Sequence, residues 1–339
     1  GEAAAADAAP PPEPLSVGQA LDSGRFVVEG RLGAGAFGEV FKAKESGSSR
    51  RVAIKRVASS DPGLMRELRV LRELTHPNVL RVLHHFEDAG SLYVVTEFAP
   101  GGALAQRISA EAAAGRTLPE AWVADVLRQA LAAMAYCHAQ GVVHNDIKPD
   151  NLLVSGGSSP GAFPHTVVAD FGQASAVRLA GHVKGPPGDA RYAPPESFDG
   201  PEGSAGSPAG DVWMLGCTLF ETLSGGVLPF LDRRYGNDEF WARHLATEAL
   251  YAQWAHKLRT FEPNWAVATP SGSAPPRSQA AVDCCARALM KCPEQRPGCA
   301  ACGDHRWFEE QRAEAQRGMS QGQRLAEEAR LRILADAAA

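Results

Sequence analysis

One short polar stretch constrains this chain more than any other part of it. It has the sequence His-Asn-Asp-Ile-Lys-Pro-Asp-Asn and occupies residues 144–151. It follows a helix-like run that ends at Gln140 and precedes the short apolar run Leu152–Val154, which predicts a loop between a helix and a strand. The loop holds two acids, a lysine and two amide side chains. Phosphoryl transfer requires such a set, because it needs a proton acceptor, a cation near the phosphoryl group and an oxygen ligand for Mg²⁺.

A second acidic motif follows this loop. Asp170-Phe171-Gly172 comes directly behind the apolar run Val167–Ala169, and its carboxylate is the hard oxygen ligand that a nucleotide-bound Mg²⁺ prefers. Either motif alone is weak evidence, since Asp and Asn are ordinary loop residues. In this order, the two motifs resemble the catalytic and metal-binding loops of eukaryotic protein kinases.

A glycine-rich segment supports the resemblance. Glycines at positions 33, 35 and 38 lie between Val27-Val28 and Val40-Phe41, which predicts a strand–turn–strand hairpin whose tip can approach phosphates closely. An ordinary tight hairpin is the plain alternative. A dinucleotide-binding fingerprint fits less well, because its glycines open a helix. The resemblance assigns nucleotide contacts to this hairpin, the strands after it and the hinge: Leu32, Gly33, Gly35, Phe37, Gly38, Val40, Ala53, Lys55, Thr96, Glu97, Ala99 and Leu153.

The resemblance also implies a role for each polar residue of the site. Lys55 ends a Val-Ala-Ile-Lys strand and is expected to bind the α- and β-phosphates of ATP. Its partner is expected on the predicted helix Met65–Leu74, where the register favours Glu67 over Glu73. Thr96 is expected to be the gatekeeper behind the adenine.

In the catalytic loop, Asp146 is expected to accept the substrate hydroxyl proton and Lys148 to lie against the γ-phosphoryl group. Asn151 and Asp170 are expected to hold Mg²⁺. A lysine two residues after the base resembles serine/threonine rather than tyrosine kinases. ATP and Mg²⁺ are therefore the implied cofactors, and protein serine or threonine side chains are the implied acceptors.

Motifs later in the chain extend the resemblance to about residues 26–308. Glu196 is expected to form a buried ion pair with Arg296, and Asp211 is expected to anchor the backbone of the catalytic loop. The implied fold is α+β and two-lobed, with a small antiparallel sheet and one main helix in the N-lobe and a larger, mainly helical C-lobe. A small-molecule kinase with a similar N-lobe fits poorly, because it would not need the segments Arg191–Glu196 and Asp211–Gly216.

The predicted domain organisation has three parts. Residues 1–20 form an Ala/Pro-rich leader that lacks hydrophobic periodicity and is expected to be disordered. The kinase domain spans 21–309, with its N-lobe at about 26–98 and its C-lobe at about 102–309. Residues 310–339 form a charged helical tail, which is interpreted either as a solvated or truncated segment or as an autoinhibitory segment. The Pro-, Gly- and Ser-rich segment Ser155–Thr166 is predicted to be a solvated insert.

Two segments, Phe86–Gly102 and Leu223–Phe230, most resemble the calcium- and calmodulin-regulated kinases. No calcium-binding loop of the Asp-x-Asp-x-Asp-Gly type follows, so a calcium sensor is expected on a separate regulatory subunit. Glu221 resembles an acidic pocket for a basic substrate residue near the phosphosite, and a surface helix glutamate is the equally weighted alternative.

Two positions depart from the family pattern. Asn145 stands where an arginine is usual, so no guanidinium there needs an activation-segment phosphate, and Ser175 is the only hydroxyl residue between Asp170 and Tyr192. Activity without phosphorylation of this segment is therefore predicted. Asp189 stands where a threonine is usual and is expected to pair with Lys148 and repel Asp146, unless it points into solvent. These departures keep open a second interpretation, a weakly active pseudokinase that acts as a scaffold.

Composition excludes other classes of function. The chain has 339 residues, 45% of them hydrophobic, and a formal charge of −5, which gives no reason to expect nucleic acid as a partner. No apolar run approaches the roughly 20 residues of a membrane span, and no signal-peptide pattern is present, so a cytoplasmic location is expected. The absence of an initiator Met suggests a fragment. The seven cysteines do not fit a disulfide framework and are interpreted as reduced and apolar; a zinc site at Cys292, Cys299, Cys302 and His305 is the weaker alternative.

Overall fold

The computed structural model describes most of the chain. It describes residues 15–35, 38–58, 68, 71–156, 164–176, 188–198, 206–230, 248–265, 277–317 and 319–338. The contacts within the chain form two compact units, which are treated separately below. Unit 1 comprises Gly1–Leu68 and Arg81–Phe98, and unit 2 comprises Arg69–Leu80 and Ala99–Ala339.

Unit 1 is built on one antiparallel sheet of six strands in the order β1-β2-β3-β4-β6-β5. The strands are β1 (Ala20–Leu21), β2 (Phe26–Gly35), β3 (Gly38–Glu45), β4 (Arg51–Ala58), β5 (Val82–Asp88) and β6 (Ser91–Glu97). The predicted glycine hairpin is confirmed, since β2 and β3 pair as far as Gly35 and Gly38. Gly38 has a φ of +116°, and a Cβ there would lie 2.2 Å from the Arg56 carbonyl oxygen, so only glycine fits this position.

The two faces of this sheet differ, because side chains alternate along each strand. Phe41, Ile54 and Val95 are paired across β3, β4 and β6 and lie in a buried apolar cluster with Phe26 and Val28. The intervening residues of these strands therefore face the other way. This second face carries four of the residues to which the sequence analysis assigns nucleotide contacts: Val40, Ala53, Lys55 and Thr96.

The predicted leader of residues 1–20 is too long. Residues 1–14 lie outside the described part of the chain. Residues 15–20, however, make hydrogen bonds and apolar contacts with the rest of unit 1. The Gly18 amide donates to the Val28 carbonyl at 2.9 Å and the Val28 amide donates to the Gln19 carbonyl at 2.9 Å. Leu15 packs against the apolar cluster. The sequence did not predict these contacts, because a single leucine and backbone hydrogen bonds produce no hydrophobic periodicity.

Unit 2 is mainly helical. Its helices are α1 (Leu104–Ala113), α2 (Glu120–Ala139), α3 (Pro208–Ser224), α4 (Glu248–Thr260), α5 (Gln279–Ala288), α6 (Cys299–Gly303), α7 (Arg306–Arg317) and α8 (Gln321–Ala338). Two short antiparallel pairs accompany them: β7 (Val142–Val143) with β10 (Ser175–Ala176), and β8 (Leu152–Gly156) with β9 (Pro164–Val168). The predicted α+β architecture, an antiparallel sheet followed by a mainly helical part, is confirmed.

Helix α2 forms where the apolar periodicity predicts it. Pro119 and Gln140 are its N-cap and C-cap residues. The predicted core stripe is buried in full: Val123, Val126, Leu127, Ala130, Leu131 and Met134. This helix packs against β9, α6 and α7, so it forms a scaffold on which the loop that follows it is built.

The segments around residues 155–166 and 65–74 differ in how much of each the structure describes. The insert predicted at Ser155–Thr166 is shorter than expected, because β8 and β9 remain paired out to Gly156 and Pro164 and Thr166 is fully buried; residues 157–163 lie outside the described residues. Of the helix predicted at Met65–Leu74, the structure describes residues 68 and 71–74, and residues 68 and 71–73 are helical.

The described helices are all too short or too polar to span a lipid bilayer. Within the same part of the chain, no group of three His, Cys, Asp or Glu side chains could hold a metal ion. Cys299 and Cys302 are buried, and burial raises the pKa of the Cys302 thiol to about 11. His305 Nε2 lies 3.0 Å from Asp283 Oδ2, and the carboxylate is the acceptor of this hydrogen bond. These contacts are those of a packed helical interior.

Candidate active site

Asp146 contacts two other polar residues of the predicted catalytic loop, Lys148 and Asn151. Its carboxylate is 5% exposed and contacts Lys148 Nζ at 3.0 Å and 3.1 Å through its two oxygens. Asn151 Nδ2 donates to Asp146 Oδ2 at 3.0 Å and to the Asp146 carbonyl at 2.7 Å. The structure therefore brings the predicted base, the predicted cation and one predicted metal ligand together.

Helix α3 fixes the backbone of this loop through Asp211, as the sequence predicts. The Asp211 side chain is fully buried, and its two oxygens accept hydrogen bonds from the amides of His144 at 2.9 Å and Asn145 at 2.8 Å. His138 Nε2 lies 2.8 Å from Asp211 Oδ2. Because an ionised carboxylate can only accept, it suits these two backbone donors.

The motif Asp170-Phe171-Gly172 is tied to the same loop. Phe171 is fully buried, and its ring lies 4.6 Å from that of His144 between centroids. The His144 ring also lies 3.1 Å from the Ala169 carbonyl, and the Ala169 amide donates to the Asn151 carbonyl at 2.9 Å. Asp170 has a left-handed φ of 64°. It directly follows Ala169, which is hydrogen-bonded to Asn151.

Asn145 joins the catalytic loop to the start of the activation segment. It is buried and left-handed, with a φ of 66°, a conformation that asparagine tolerates better than most residues. Its side-chain Nδ2 donates to the Gln173 carbonyl at 2.9 Å. This connection between the two segments is neutral.

Asp189 pairs with Lys148, as the sequence predicts, but it also has a closer partner. Its carboxylate lies 3.7 Å from Lys148 Nζ, so the expected pairing is weak, and the main partner is Arg191. Arg191 Nη2 and Nε donate to Asp189 at 2.6 Å and 3.0 Å. Burial alone would raise the pKa of Asp189, but Arg191 and Lys148 lower it overall. The solvent-facing alternative is also wrong, since the Asp189 side chain is 16% exposed.

The charge of Lys148 is stabilised by its surroundings. Burial acts to lower the pKa of its ammonium group, whereas the charges of Asp146, Asp189 and Asp150 raise it, and the net direction is upward. Lys148 is therefore held as a cation beside Asp146 at any pH near neutrality.

Glu221, on helix α3, accepts a hydrogen bond from a tyrosine hydroxyl. Tyr192 Oη donates to Glu221 Oε2 at 2.6 Å. Burial raises the pKa of Glu221 to about 7, and the negative charge of Asp150 contributes to this increase. Glu221 is thus half-buried and hydrogen-bonded to Tyr192, unlike a freely solvated surface glutamate, and the charge of Asp150 acts on it.

The predicted nucleotide contacts in unit 1 lie on or beside one face of the sheet. Val40 pairs with Lys55, and Ala53 pairs with Thr96, so these four side chains share the face opposite the Phe41 cluster. Thr96 is 9% exposed and Leu32 is 44% exposed. The remaining predicted residues of unit 1 are in β2, β3 and β6: Gly33, Gly35, Gly38 and Glu97.

Two of the predicted nucleotide contacts lie in unit 2, and two other predicted site residues lie outside the described residues. Leu153, in unit 2, is half-buried on β8 against Leu80, Val167 and Ala169. Ala99 begins the second part of unit 2, and its carbonyl accepts from the Gly102 amide at 3.2 Å. Phe37 and Glu67 lie outside the described residues.

The predicted ion pair behind the activation segment is confirmed. Arg296 donates to Glu196 through Nη1 at 2.5 Å and Nη2 at 2.7 Å. The same guanidinium group, which is fully buried, also donates to the carbonyls of Ala209, Met290 and Lys291. All five of its N–H donors are thus used, which fixes the end of the activation segment on unit 2.

The C-terminal tail is docked rather than solvated. Arg330, on α8, donates to both carboxylate oxygens of Asp125 at 3.0 Å and to the Pro164 carbonyl at 2.8 Å. Glu327, one turn earlier, is 9% exposed and accepts from Arg330 at 2.9 Å. The tail helix therefore contacts α2 and β9.

The sequence analysis assigned no role to four residues of the site: His138, Asp150, Gly188 and Arg191. His138 and Asp150 carry a weak signal, because both belong to or flank motifs that were recognised. Gly188 and Arg191 carry none, because their contacts cannot be read from residue type: Gly188 packs on Asn145 and Asp146, and Arg191 folds back onto Asp189.

Comparison with known proteins bears on this arrangement. The family model for the protein kinase domain matches residues 26–308. CBL-interacting protein kinase 4 of Oryza sativa subsp. japonica is 33% identical over 225 residues, which cover 62% of this chain and 46% of that protein. Calcium/calmodulin-dependent protein kinase type IV of Homo sapiens is 34% identical over 225 residues, covering 65% and 44%. The chain thus spans about half the length of these curated relatives.

Proposed function

Because the chain belongs to the protein kinase domain family, we propose that it transfers the γ-phosphoryl group of ATP to serine or threonine side chains of protein substrates. The observation that carries this proposal is the contact set of Asp146, whose buried carboxylate is held by Lys148 and Asn151. Such a fixed carboxylate is suited to orient an acceptor hydroxyl and take its proton onto one carboxylate oxygen. Lys148 supplies a fixed cation where negative charge accumulates.

The donor set also fits Mg²⁺. Asn151 uses its Nδ2 group to bond Asp146, so its amide oxygen remains as a donor of the hard type that Mg²⁺ prefers. Asp170 offers a carboxylate and follows Ala169, which is bonded to Asn151. Bound Mg²⁺ would neutralise phosphate charge, and Asn151 and Asp170 are the residues that would hold it. Lys55, with Glu67 as its partner, is assigned to the α- and β-phosphates.

We further propose that basic residues near the phosphosite are preferred. Glu221 and Asp150 supply two acidic groups in one region, and the pKa of Glu221 is about 7 because burial raises it. The relatives are named for calcium/calmodulin dependence or for interaction with CBL, which supports a separate calcium-sensing subunit as a regulatory partner. A cytoplasmic location is part of the same proposal.

We also propose that the enzyme is active without phosphorylation of its activation segment. Asn145 bonds the Gln173 carbonyl through a neutral amide, so no buried guanidinium at this position requires a phosphate to neutralise it. Enzyme treated with a phosphatase is expected to retain its activity, as is Ser175→Ala. Loss of activity that returns on rephosphorylation of residues 171–191 would contradict this part.

The proposal is tested with purified protein, labelled ATP, Mg²⁺ and a peptide library that contains Ser, Thr and Tyr acceptors. We expect transfer to Ser or Thr, loss of transfer with a metal chelator, and a fall in rate on the order of 10²-fold or more in Asp146→Asn and Asp170→Asn. Asp283→Asn, a change in a carboxylate of the exposed face of α5, is the control. A wild-type protein that binds ATP without transferring phosphate would instead support the scaffold interpretation.

A further inference from the structure

The turn at residues 188–192 brings a second carboxylate next to the proposed catalytic base. Gly188 has a φ of +75°, and a Cβ there would lie 2.2 Å from the Asn145 carbonyl oxygen and 2.8 Å from Asp146 Oδ1. The backbone therefore packs directly on the catalytic loop, as only glycine allows. The next amide, that of Asp189, donates to Asp146 Oδ1 at 2.9 Å. The Asp189 side chain is held beside Asp146 by this main-chain contact.

The two carboxylates pair mainly with different cations. Lys148 Nζ lies 3.0 Å from Asp146 but 3.7 Å from Asp189. Arg191 closes on Asp189 through Nη2 at 2.6 Å and Nε at 3.0 Å, and its backbone amide adds a third bond at 3.1 Å. Each carboxylate thus has one primary cation. Asp189 is satisfied without drawing Lys148 away from Asp146.

The turn has supports that do not involve the Arg191 side chain. The Tyr192 amide donates to the Asp189 carbonyl at 3.0 Å, and Trp254 Nε1, on α4, donates to the Ala190 carbonyl at 3.0 Å. Together with the packing of Gly188, these contacts fix the backbone of the turn. Shortening the Arg191 side chain is therefore expected to leave Asp189 in place and to remove its counter-charge.

We propose that Arg191 is a positioning residue that neutralises Asp189 and so keeps Lys148 on Asp146. This inference rests on the proposed kinase function, in which Asp146 and Lys148 act on the acceptor hydroxyl and the phosphoryl group. Without Arg191, Lys148 is the cation that remains in contact with the Asp189 carboxylate among the residues that the structure describes, and the ammonium group moves toward it. A displacement of this kind, of about 1 Å in a group that positions reactants, lowers turnover on the order of ten- to a hundred-fold.

The decisive experiment compares Arg191→Met with the double variant Arg191→Met/Asp189→Asn. The single variant is expected to lose about ten-fold or more in kcat with an unchanged KM for ATP. The double variant is expected to recover to within a few-fold of wild type, because the neutral amide no longer competes for Lys148 and can still accept from the amide of residue 191. A purely structural role for Arg191 would not be rescued by neutralising Asp189.

Arg287→Met, which breaks the exposed pair of Arg287 with Asp283 on α5, is the matched control and is expected to leave kcat unchanged. A normal kcat in Arg191→Met, or a double variant no faster than the single one, overturns the inference. If Arg191→Met does not fold, Arg191→Lys and Arg191→Gln replace it: the charged variant must be the faster, and equal rates overturn the inference. An inactive wild-type protein would overturn the proposed function itself.

Discussion

The replacement of Asp211 by asparagine tests how the fold holds the catalytic loop. The two oxygens of Asp211 accept the amides of different residues, Asn145 on Oδ1 and His144 on Oδ2. An asparagine side chain has one oxygen and one NH₂ group. Whichever way it is turned, the NH₂ group faces one of these two backbone N–H donors. One buried N–H group therefore loses its acceptor.

The size of the effect follows from this geometry. The lost bond is assisted by the charge of the carboxylate, and a buried donor is left unpaired, so we expect the free energy of unfolding to fall by about 2–4 kcal/mol. His138 can adapt to either group through its tautomers and does not change this count. Because the released amide belongs to one of the two residues just before Asp146, kcat is also expected to fall on the order of 10²-fold.

Urea unfolding and steady-state phosphotransfer to one peptide measure the two effects in the same preparation. Asp283→Asn is the matched control, since Asp283 is 38% exposed in its side chain and pairs with Arg287 and His305 at the surface. Its expected cost is below about 1 kcal/mol, with kcat unchanged. The reasoning would be refuted if Asp211→Asn lost less than about 1 kcal/mol and kept kcat within a few-fold of wild type.

Three further predictions concern the pocket, the tail and the substrate. Thr96→Met is expected to block inhibitors that extend behind the adenine while leaving the KM for ATP nearly unchanged; equal inhibition of both proteins would reject the gatekeeper assignment. Arg330→Met removes the contact with Asp125 and is expected to expose residues 321–338 to limited proteolysis, with a change in global stability below about 1 kcal/mol; unchanged protection would contradict the docking. Since burial raises the pKa of Glu221 to about 7, its charge grows as pH rises through 7. The KM for an arginine-containing peptide should therefore fall between about pH 6 and 8, and Glu221→Gln should lose this pH dependence.

The features that the sequence predicted well depend on short-range patterns. The stripe of α2 repeats at helical spacing, and the glycine hairpin has strands on both sides, so both elements form where expected. Asp211 and the pair Glu196–Arg296 were predicted because each belongs to a recognisable local motif. For these residues, a pattern of a few positions in the sequence determines the contact.

The contacts that could not be predicted from the sequence depend on which charged side chains meet in the folded chain. Asp189 was expected to draw on Lys148, because nothing in the local sequence shows that Arg191 folds back onto it with two short hydrogen bonds. The docking of Arg330 on Asp125 joins residues 205 positions apart. A charged helix at the end of a chain has the same composition whether it is docked or solvated, so this contact required coordinates.

The charges around the catalytic loop suggest where regulation of this protein is applied. Asp146 is paired with Lys148, Asp189 is paired with Arg191, and Asn145 reaches the activation segment through a neutral bond. In the described part of this region, each link between the segments is thus completed by the chain itself, and a phosphate would have no buried guanidinium at position 145 to neutralise. Under the proposed independence of phosphorylation, we expect a regulator of this arrangement to change contacts rather than to complete a missing charge. The tail is suited to such a change, because it is docked by a polar contact to α2, the helix that leads into the catalytic loop, and polar contacts at a partly exposed surface exchange readily with a competing partner.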